Sequence, residues 1–181
     1  ADSQQLLAIG HERGGVGIQR ISLQDQDPVS IWWEEASVAE AHWPRFSVAG
    51  GDKIAVVKED ANRPRDLWIG RLSQDELSWQ QLTQLHPLAD KILIGETSFY
   101  HWQGVDDCPM QGLLIKPVDY DPQQRYPLVM WVHGGPTGVS GSRYYASSGW
   151  CQLLANAGYA VFLPNYRGSV GWGLEFSESN L

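Results

Sequence analysis

The sequence contains few cysteines and no long apolar run, and each absence excludes a class of protein. Cys108 and Cys151 are the two cysteines among 181 residues, too few for a disulfide scaffold and without the C-x-x-C spacing of a zinc site. The longest apolar runs, 128–132 and 159–163, are far shorter than the roughly 20 residues of a membrane-spanning helix. We therefore expect free thiols and no transmembrane helix in this sequence.

Positive charge is also scarce. Thirteen Lys and Arg residues stand against 21 Asp and Glu residues, which gives a formal net charge of −8. Such a chain repels phosphate backbones and anionic lipid surfaces, so we expect neither nucleic acid nor a membrane as a partner. Hydrophobic residues make up 43% of the chain, which is ample for a packed core in one domain or two small ones. The nine tryptophans lie throughout the sequence, which favours strand packing over a sugar-binding platform.

The first third of the sequence contains an internal repeat. Residues 5–9 and 19–23 resemble residues 53–57 and 68–72, with offsets of 48 to 49 residues, and residues 44–53 supply an inner strand and turn between the copies. Each copy reads as strand, polar turn, strand. Hairpin repeats of this length are typical of β-propeller blades. A ring needs about four blades or more, so the repeat predicts further sequence upstream.

The second half has a different pattern, and Pro87 falls in a predicted domain boundary near residues 83 to 95. Apolar residues at 150, 153, 154 and 157 have helical spacing, and Gly158 stands where a helix would end. The full expectation is an antiparallel strand pair over 97–102 and 110–116, a strand over 126–132, a helix from Ser147, and a strand over 159–163. This order of strand, glycine loop, helix and strand predicts a βαβ unit, the beginning of a doubly wound sheet.

A glycine turn follows directly on the buried strand 128–132. It consists of His133, Gly134, Gly135 and Pro136. Backbone N–H groups at this place, the carboxyl end of a strand, form half of the oxyanion hole in α/β hydrolases. The turn therefore makes an enzyme the leading hypothesis, although a glycine turn that merely provides backbone space remains the alternative.

Several further motifs occur in a fixed order around this turn. They are Leu82-Thr83 to Pro87, Leu114-Ile115-Lys116-Pro117 with Tyr120-Asp121-Pro122, Tyr126-Pro127-Leu128-Val129, Gly158-Tyr159-Ala160-Val161, and Pro164-Asn165-Tyr166-Arg167-Gly168-Ser169 to Gly171-Trp172-Gly173. In this order the chain resembles the prolyl oligopeptidase family of serine peptidases. The His-Gly-Gly-Pro form is similar to the acylaminoacyl-peptidase branch. The dipeptidyl-peptidase IV and prolyl oligopeptidase branches place a tyrosine at the position of His133.

The resemblance implies a fold of β-propeller blades followed by the N-terminal part of an α/β-hydrolase (doubly wound) domain. Residues 1–85 would be the C-terminal blades, and residues 86–181 would be the incomplete catalytic domain. A serine oligopeptidase of this kind, of the acylaminoacyl- or dipeptidyl-peptidase type, hydrolyses short peptides by acyl transfer to a serine. It requires no metal and no organic cofactor.

The resemblance also assigns roles to residues. It makes the Gly135 N–H a donor to the oxyanion, with His133, Gly134 and Pro136 bordering the site in the same turn. His133 would brace the loop rather than act as the base. After the next strand, the site-bordering residues would be Arg167, Gly168 and Ser169, where a buried arginine paired with a carboxylate is favoured over direct contact with substrate.

Two other patterns imitate functional motifs. Gly138-Val139-Ser140-Gly141-Ser142 begins like a G-x-S-x-G nucleophile elbow, but its fifth residue is serine and it follows a loop, so Ser140 is not expected to be a nucleophile. Glu34 and Glu35 resemble the paired glutamates with which dipeptidyl peptidases bind a substrate amine. Their position in the repeat region favours a solvated sheet edge instead.

The 181 residues contain no complete nucleophile elbow, so the resemblance places the triad's serine, acid and base beyond Leu181. We expect an excerpt or truncated form of a longer peptidase that is inactive and unstable alone. Two alternatives remain open, an esterase or lipase of the same hydrolase fold and a noncatalytic propeller scaffold that binds peptide or protein. Substrate preference, homo-oligomerisation and compartment stay open, and the low cysteine count favours the cytoplasm.

Overall fold

The computed structural model describes residues 4–24, 27–38, 46–73, 76–135, 137–145 and 150–180. These residues form a mostly β structure with two short α-helices, α1 and α2, and 3₁₀ turns at Ala89–Lys91 and Val105–Asp107. The strands are β1 (Gln5–Glu12), β2 (Gly15–Ser22), β3 (Pro28–Glu34), β4 (Ser37–Val38), β5 (Ser47–Ala49), β6 (Lys53–Glu59), β7 (Asp66–Ser73), β8 (Glu76–Gln81), β9 (Thr97–Gln103), β10 (Pro109–Ile115), β11 (Leu128–Met130) and β12 (Ala160–Asn165); the helices are α1 (Cys151–Asn156) and α2 (Leu174–Glu178).

The first sheet is antiparallel, in the order β1-β2-β3. The β1–β2 hairpin closes with the two-residue turn Arg13-Gly14, whose φ angles are +50° and +80°. Two left-handed residues in succession define the type I′ turn that suits the right-handed twist of a hairpin, and glycine adopts the second position without strain. The predicted strand, turn, strand pattern is therefore present.

The second sheet has the order β4-β6-β7-β8, and β5 also pairs with β6. The β6–β7 hairpin reproduces the register of the first one. Gln5 pairs with Ser22, and Lys53 pairs with Arg71, which lie at the repeat offsets of 48 and 49 residues. The internal repeat is thus a repeat of three-dimensional structure. The described strands form two separate small sheets in this region and do not close a ring.

One apolar core joins these two sheets. Val16 and Ile18 of β2 and Ile54 and Val56 of β6 alternate toward it, as expected for strands with one buried face. Trp32, Trp68 and Trp79 pack around the same core. Packing therefore accounts for these three tryptophans, as the sequence predicted.

The third sheet is mixed, in the order β11-β12-β10-β9. Strand β10 is antiparallel to both of its neighbours, β9 and β12, whereas β11 runs parallel to β12 and α1 lies between them in sequence. The antiparallel pair and the βαβ unit match the prediction. Helix α1 ends before Gly158, whose φ is +85°, the left-handed conformation of a C-terminal glycine cap.

Strand β11 is shorter than the predicted strand over 126–132. Its pairing with β12 is bounded by the hydrogen bonds Ala160 N–H to Pro127 O (2.9 Å) and Trp131 N–H to Phe162 O (2.8 Å). Pro127 has no N–H to extend the ladder, and beyond Trp131 the chain enters the glycine turn. The core beneath this sheet contains residues from β10, β12 and α1, namely Leu113, Ile115, Cys151, Ala155, Val161 and Leu163.

The segment 82–96 connects the second and third sheets, and apart from its 3₁₀ turn it is irregular. It is fastened at its end, where Gly95 N–H donates to Gln152 Oε1 (2.7 Å) and Gln152 Nε2 donates to Gly95 O (3.2 Å). Both cysteines are free thiols, and burial raises the pKa of the Cys151 thiol. Within the described ranges, no helix is long and apolar enough to cross a bilayer.

Candidate active site

The glycine turn lies at the carboxyl end of β11. Gly135 has a φ of +145°, and a Cβ atom at this position would lie 2.7 Å from the backbone nitrogens of Thr137 and Gly138. Only glycine fits this conformation and this space. Gly135 is exposed, and its N–H has no acceptor among the described residues. The turn therefore presents a backbone donor that is available to a ligand.

His133 connects this turn to the loop after β12. Its ring stacks on Tyr166, with ring centroids 4.5 Å apart, and its Nε2 lies 3.0 Å from Ser169 Oγ. The Ser169 hydroxyl also donates to Tyr166 O (2.6 Å), and His133 Nδ1 lies 3.0 Å from Gly134 O. The Tyr166 hydroxyl donates to His133 O (2.7 Å). These contacts fix the histidine in place.

A second set of contacts holds the chain that follows the turn. Asn165, which is fully buried, accepts a hydrogen bond from Ser140 N–H (2.7 Å) and donates one to Ser140 O (3.0 Å). Val170 N–H donates to Gly138 O (3.1 Å). Because β11 and β12 are parallel, their carboxyl ends meet at one edge of the sheet, and the two loops brace each other there.

Two further predicted site residues, Arg167 and Gly168, lie in the loop after β12, which also contains Ser169. Arg167 is half-buried, donates to Val105 O, and lies 3.6 Å from the Asp106 carboxylate, which is itself exposed. The arginine therefore pairs with a carboxylate, but it is less buried than the sequence led us to expect. Gly168 has a φ of +102° and packs against the Asn180 side chain. Pro136 lies outside the described residues.

A cleft of about 800 Å³ opens beside the glycine turn. Its lining includes β1 at Ile9 to His11, Trp131, the turn itself and Tyr145. The Tyr145 hydroxyl donates to Gly141 O (3.0 Å), and burial raises the pKa of this tyrosine. Tyr145 is thus a neutral wall of the cleft. Gly135 borders a space large enough for a small peptide.

The structure agrees with the expectation for the elbow-like sequence around Ser140 but not with the one for Glu34. Ser140 is buried and its backbone is held by Asn165, which fits the expectation that it is not a nucleophile. Glu34 departs from the expected solvated edge, because its carboxylate accepts from Lys58 Nζ at 2.7 and 2.9 Å. Glu35 is exposed. Among the residues that the structure describes, no group of three or more His, Cys, Asp or Glu side chains is arranged to hold a metal ion.

Known proteins are similar to this chain over nearly its whole length. No family model matches it. The uncharacterized peptidase YuxL of Bacillus subtilis is 31% identical over 179 residues, which is 97% of this chain and 25% of that protein. A probable dipeptidyl-peptidase 5 of Aspergillus terreus is 34% identical over 71 residues, 39% of this chain and 10% of that protein. The structure of the Pyrococcus horikoshii acylaminoacyl peptidase superposes with a TM-score of 0.70 at 25% identity, covering 97% of this chain and 25% of that one.

Over nearly its whole length the chain is similar to peptidases of the prolyl oligopeptidase family. It spans about a quarter of the length of the Bacillus and Pyrococcus proteins that it matches. The order of motifs from Leu82 to Gly173 thus indicated the same kind of peptidase that these comparisons find, and the matched region extends well upstream of those motifs.

The sequence analysis assigns no role to several residues that organise the site. Asn165 and Tyr166 were noticed as parts of a motif, but no role was assigned to either. A polar residue at the end of an otherwise apolar strand is the signal that could have identified Asn165. The turn residues Arg13 and Gly14, far away in sequence, gave no local signal, although they contact the same loops.

Proposed function

We propose that this chain is part of a serine oligopeptidase that hydrolyses short peptides, of the acylaminoacyl- or dipeptidyl-peptidase type. The nucleophile, acid and base would lie outside residues 1–181, because the sequence contains no complete elbow. The similarity to the prolyl oligopeptidase family and the peptidase names of the relatives support this proposal. The 181 residues alone would then be inactive.

The domain division belongs to the same proposal. Residues 1–85 would be the C-terminal blades of a β-propeller, and the repeated hairpins with a shared register support this. Residues 86–181 would be the N-terminal part of an α/β-hydrolase domain. The parallel β11–β12 pair with α1 between its strands supports this second assignment.

The main chemical support for the proposal is the backbone N–H of Gly135. Its N–H is without a protein acceptor in the described structure, at the carboxyl end of a parallel strand and beside a cleft. A peptide carbonyl that is attacked by a serine develops a negative oxygen, and a fixed backbone donor stabilises that oxygen more than the ground-state carbonyl. In this proposal Gly135 supplies the donor, and His133, Gly134, Pro136, Arg167, Gly168 and Ser169 border the site.

We predict that Gly135→Ala in the longer protein lowers kcat for a short peptide substrate by about 10²-fold or more, because the side chain displaces the loop and its donor. Steady-state hydrolysis of an N-acylated and an N-terminally free peptide, each with a chromogenic amide, measures the loss and identifies the peptidase type. Matching esters assayed beside the amides distinguish a peptidase from an esterase.

Gly158→Ala is the matched control for this substitution. Gly158 also has a positive φ, +85°, and an added Cβ there meets nothing within 4 Å. It caps α1, away from the turn, and should retain the wild-type kcat. A Gly135→Ala protein that is folded and as active as Gly158→Ala would contradict the proposed role of Gly135.

A further inference from the structure

The tip of the β1–β2 hairpin, residues 12–15, is fastened to both loops that border the candidate active site. Arg13 N–H donates to Gly171 O (3.0 Å), in the loop after β12. Ser142 N–H donates to Gly14 O (3.1 Å), in the loop that follows the glycine turn. Gln111 Nε2, from β10, donates to Arg13 O (3.1 Å). The hairpin tip therefore joins three segments that are distant in sequence.

Where the hairpin tip meets the two loops, the backbones approach so closely that side chains do not fit between them. A Cβ on Gly14 would lie 2.7 Å from the Phe99 ring and 2.8 Å from Gln111 Oε1. A Cβ on Gly141 would lie 2.8 Å from Gly14 O, and one on Gly171 would lie 3.3 Å from Arg13 N. Glycine thus occurs on each side of the contact, where backbone approaches backbone.

Two short series of hydrogen bonds connect the hairpin tip to the chain that directly follows Gly135. In the first, Gly14 O holds Ser142, in the stretch that Asn165 also holds at Ser140. In the second, Arg13 holds Gly171, and the adjacent Val170 N–H holds Gly138 O. The hairpin itself is held by Trp33, whose Nε1 donates to Glu12 O (3.0 Å). Its tip is consequently a fixed support for both loops.

We propose that the hairpin tip positions the glycine turn for catalysis, with Gly14 as the positioning residue. This inference rests on the proposed peptidase function. The tip contacts neither the Gly135 N–H nor a reacting atom. It holds the loop that follows the glycine turn, and this keeps the Gly135 N–H in the position where it can donate to a tetrahedral oxyanion. A displaced tip would therefore weaken binding of the transition state more than binding of the substrate.

Gly14→Ala in the longer protein tests the inference. The new Cβ displaces the tip, and we expect kcat to fall by about tenfold or more, while KM changes by less than about twofold. Affinity for a peptide aldehyde, which forms a tetrahedral adduct with the serine, should fall in parallel with kcat. Affinity for the matching peptide alcohol, which cannot form a tetrahedral adduct, should be unchanged.

Gly51→Ala is the matched control. Gly51 has the same φ of +80° in another tight turn, between β5 and β6, but an added Cβ meets nothing within 4 Å. It therefore carries the same backbone penalty without the contact and should retain the wild-type kcat. Equal kcat and equal aldehyde affinity in folded Gly14→Ala and Gly51→Ala proteins would overturn the inference.

A milder variant decides the matter if Gly14→Ala does not fold. Gln111→Met keeps a side chain of similar length but removes the donor to Arg13 O and the 3.2 Å contact with His101 Nε2, and it should lower kcat and aldehyde affinity together by a smaller factor. An unchanged kcat in Gln111→Met would then overturn the inference. Wild-type protein that hydrolyses no peptide would instead contradict the proposed function, so the two failures are distinguishable.

Discussion

At the residue scale, Lys58 is the least expected feature of the molecule. It is 4% exposed, and its Nζ lies 4.6 Å from the centroid of the Trp68 ring and 5.7 and 5.9 Å from those of Trp32 and Trp79. Glu34 supplies the counter-charge. A lysine ammonium loses much of its hydration here, and the carboxylate and the ring faces replace it. This pairing explains why Glu34 is not part of a solvated edge.

We predict that Lys58→Met destabilises the protein by about 3 kcal/mol, because the methionine fills the space but leaves the Glu34 carboxylate without its main partner. Lys53→Met is the control on the same strand. Lys53 is exposed, and its replacement should change the free energy of unfolding by less than about 0.5 kcal/mol. Urea unfolding followed by tryptophan fluorescence measures both.

The double variant Glu34→Gln with Lys58→Met sharpens this test. Removing both charges leaves no unpaired ion, so part of the lost stability should return. If Lys58→Met and Lys53→Met unfold at the same urea concentration, the buried ion pair makes no net contribution and the interpretation is wrong.

The same scale shows what the sequence could reveal about the site. The glycine turn at Gly134 and Gly135 was predictable as a turn, because glycines directly after an apolar run mark the end of a buried strand, whereas the oxyanion role of Gly135 stays a prediction. The bond between His133 and Ser169 was not predictable, because it depends on the parallel pairing of β11 with β12, which brings residues 36 positions apart together. Local periodicity carries no information about such pairs.

At the scale of elements, the predictions succeeded where the hydrophobic period was long. The β9–β10 pair, the two repeated hairpins and the helix ending before Gly158 all have clear patterns over several residues. Helix α2 (Leu174–Glu178) was not predicted, because five residues are too few for a helical period to be visible. Its position is set by a distant contact instead, in which Gly168 N–H donates to Phe176 O (2.9 Å).

Helix α1 is fixed to the connecting segment by the reciprocal hydrogen bonds of Gln152 and Gly95. We predict that Gln152→Leu destabilises the protein by about 2–4 kcal/mol, because it leaves the buried N–H and C=O groups of Gly95 unpaired. Gln123→Leu, at an exposed loop position, is the control and should shift the free energy of unfolding by less than about 0.5 kcal/mol. Urea unfolding decides between them; equal stabilities would show that the clamp is dispensable.

At the scale of the whole molecule, the chain contains two kinds of structure that meet at the candidate site. The repeated hairpins and the mixed sheet have separate apolar cores, yet the first hairpin reaches into the loops of the mixed sheet. Leu128 and Met130 of β11, each 57% exposed, lie at the edge of the described sheet. An exposed apolar strand of this kind is an interaction surface, which fits the proposal that this chain is a segment of a larger enzyme.

The most direct test of the account is active-site labelling with a fluorophosphonate, with intact mass measured, on the longer protein and on the 181-residue chain in parallel. We predict one covalent adduct on the longer protein and none on the short chain, because in the proposed function the serine nucleophile would lie outside these residues. Labelling of neither would contradict the assignment of a serine peptidase. Labelling of the short chain would contradict the view that its 181 residues lack the nucleophile.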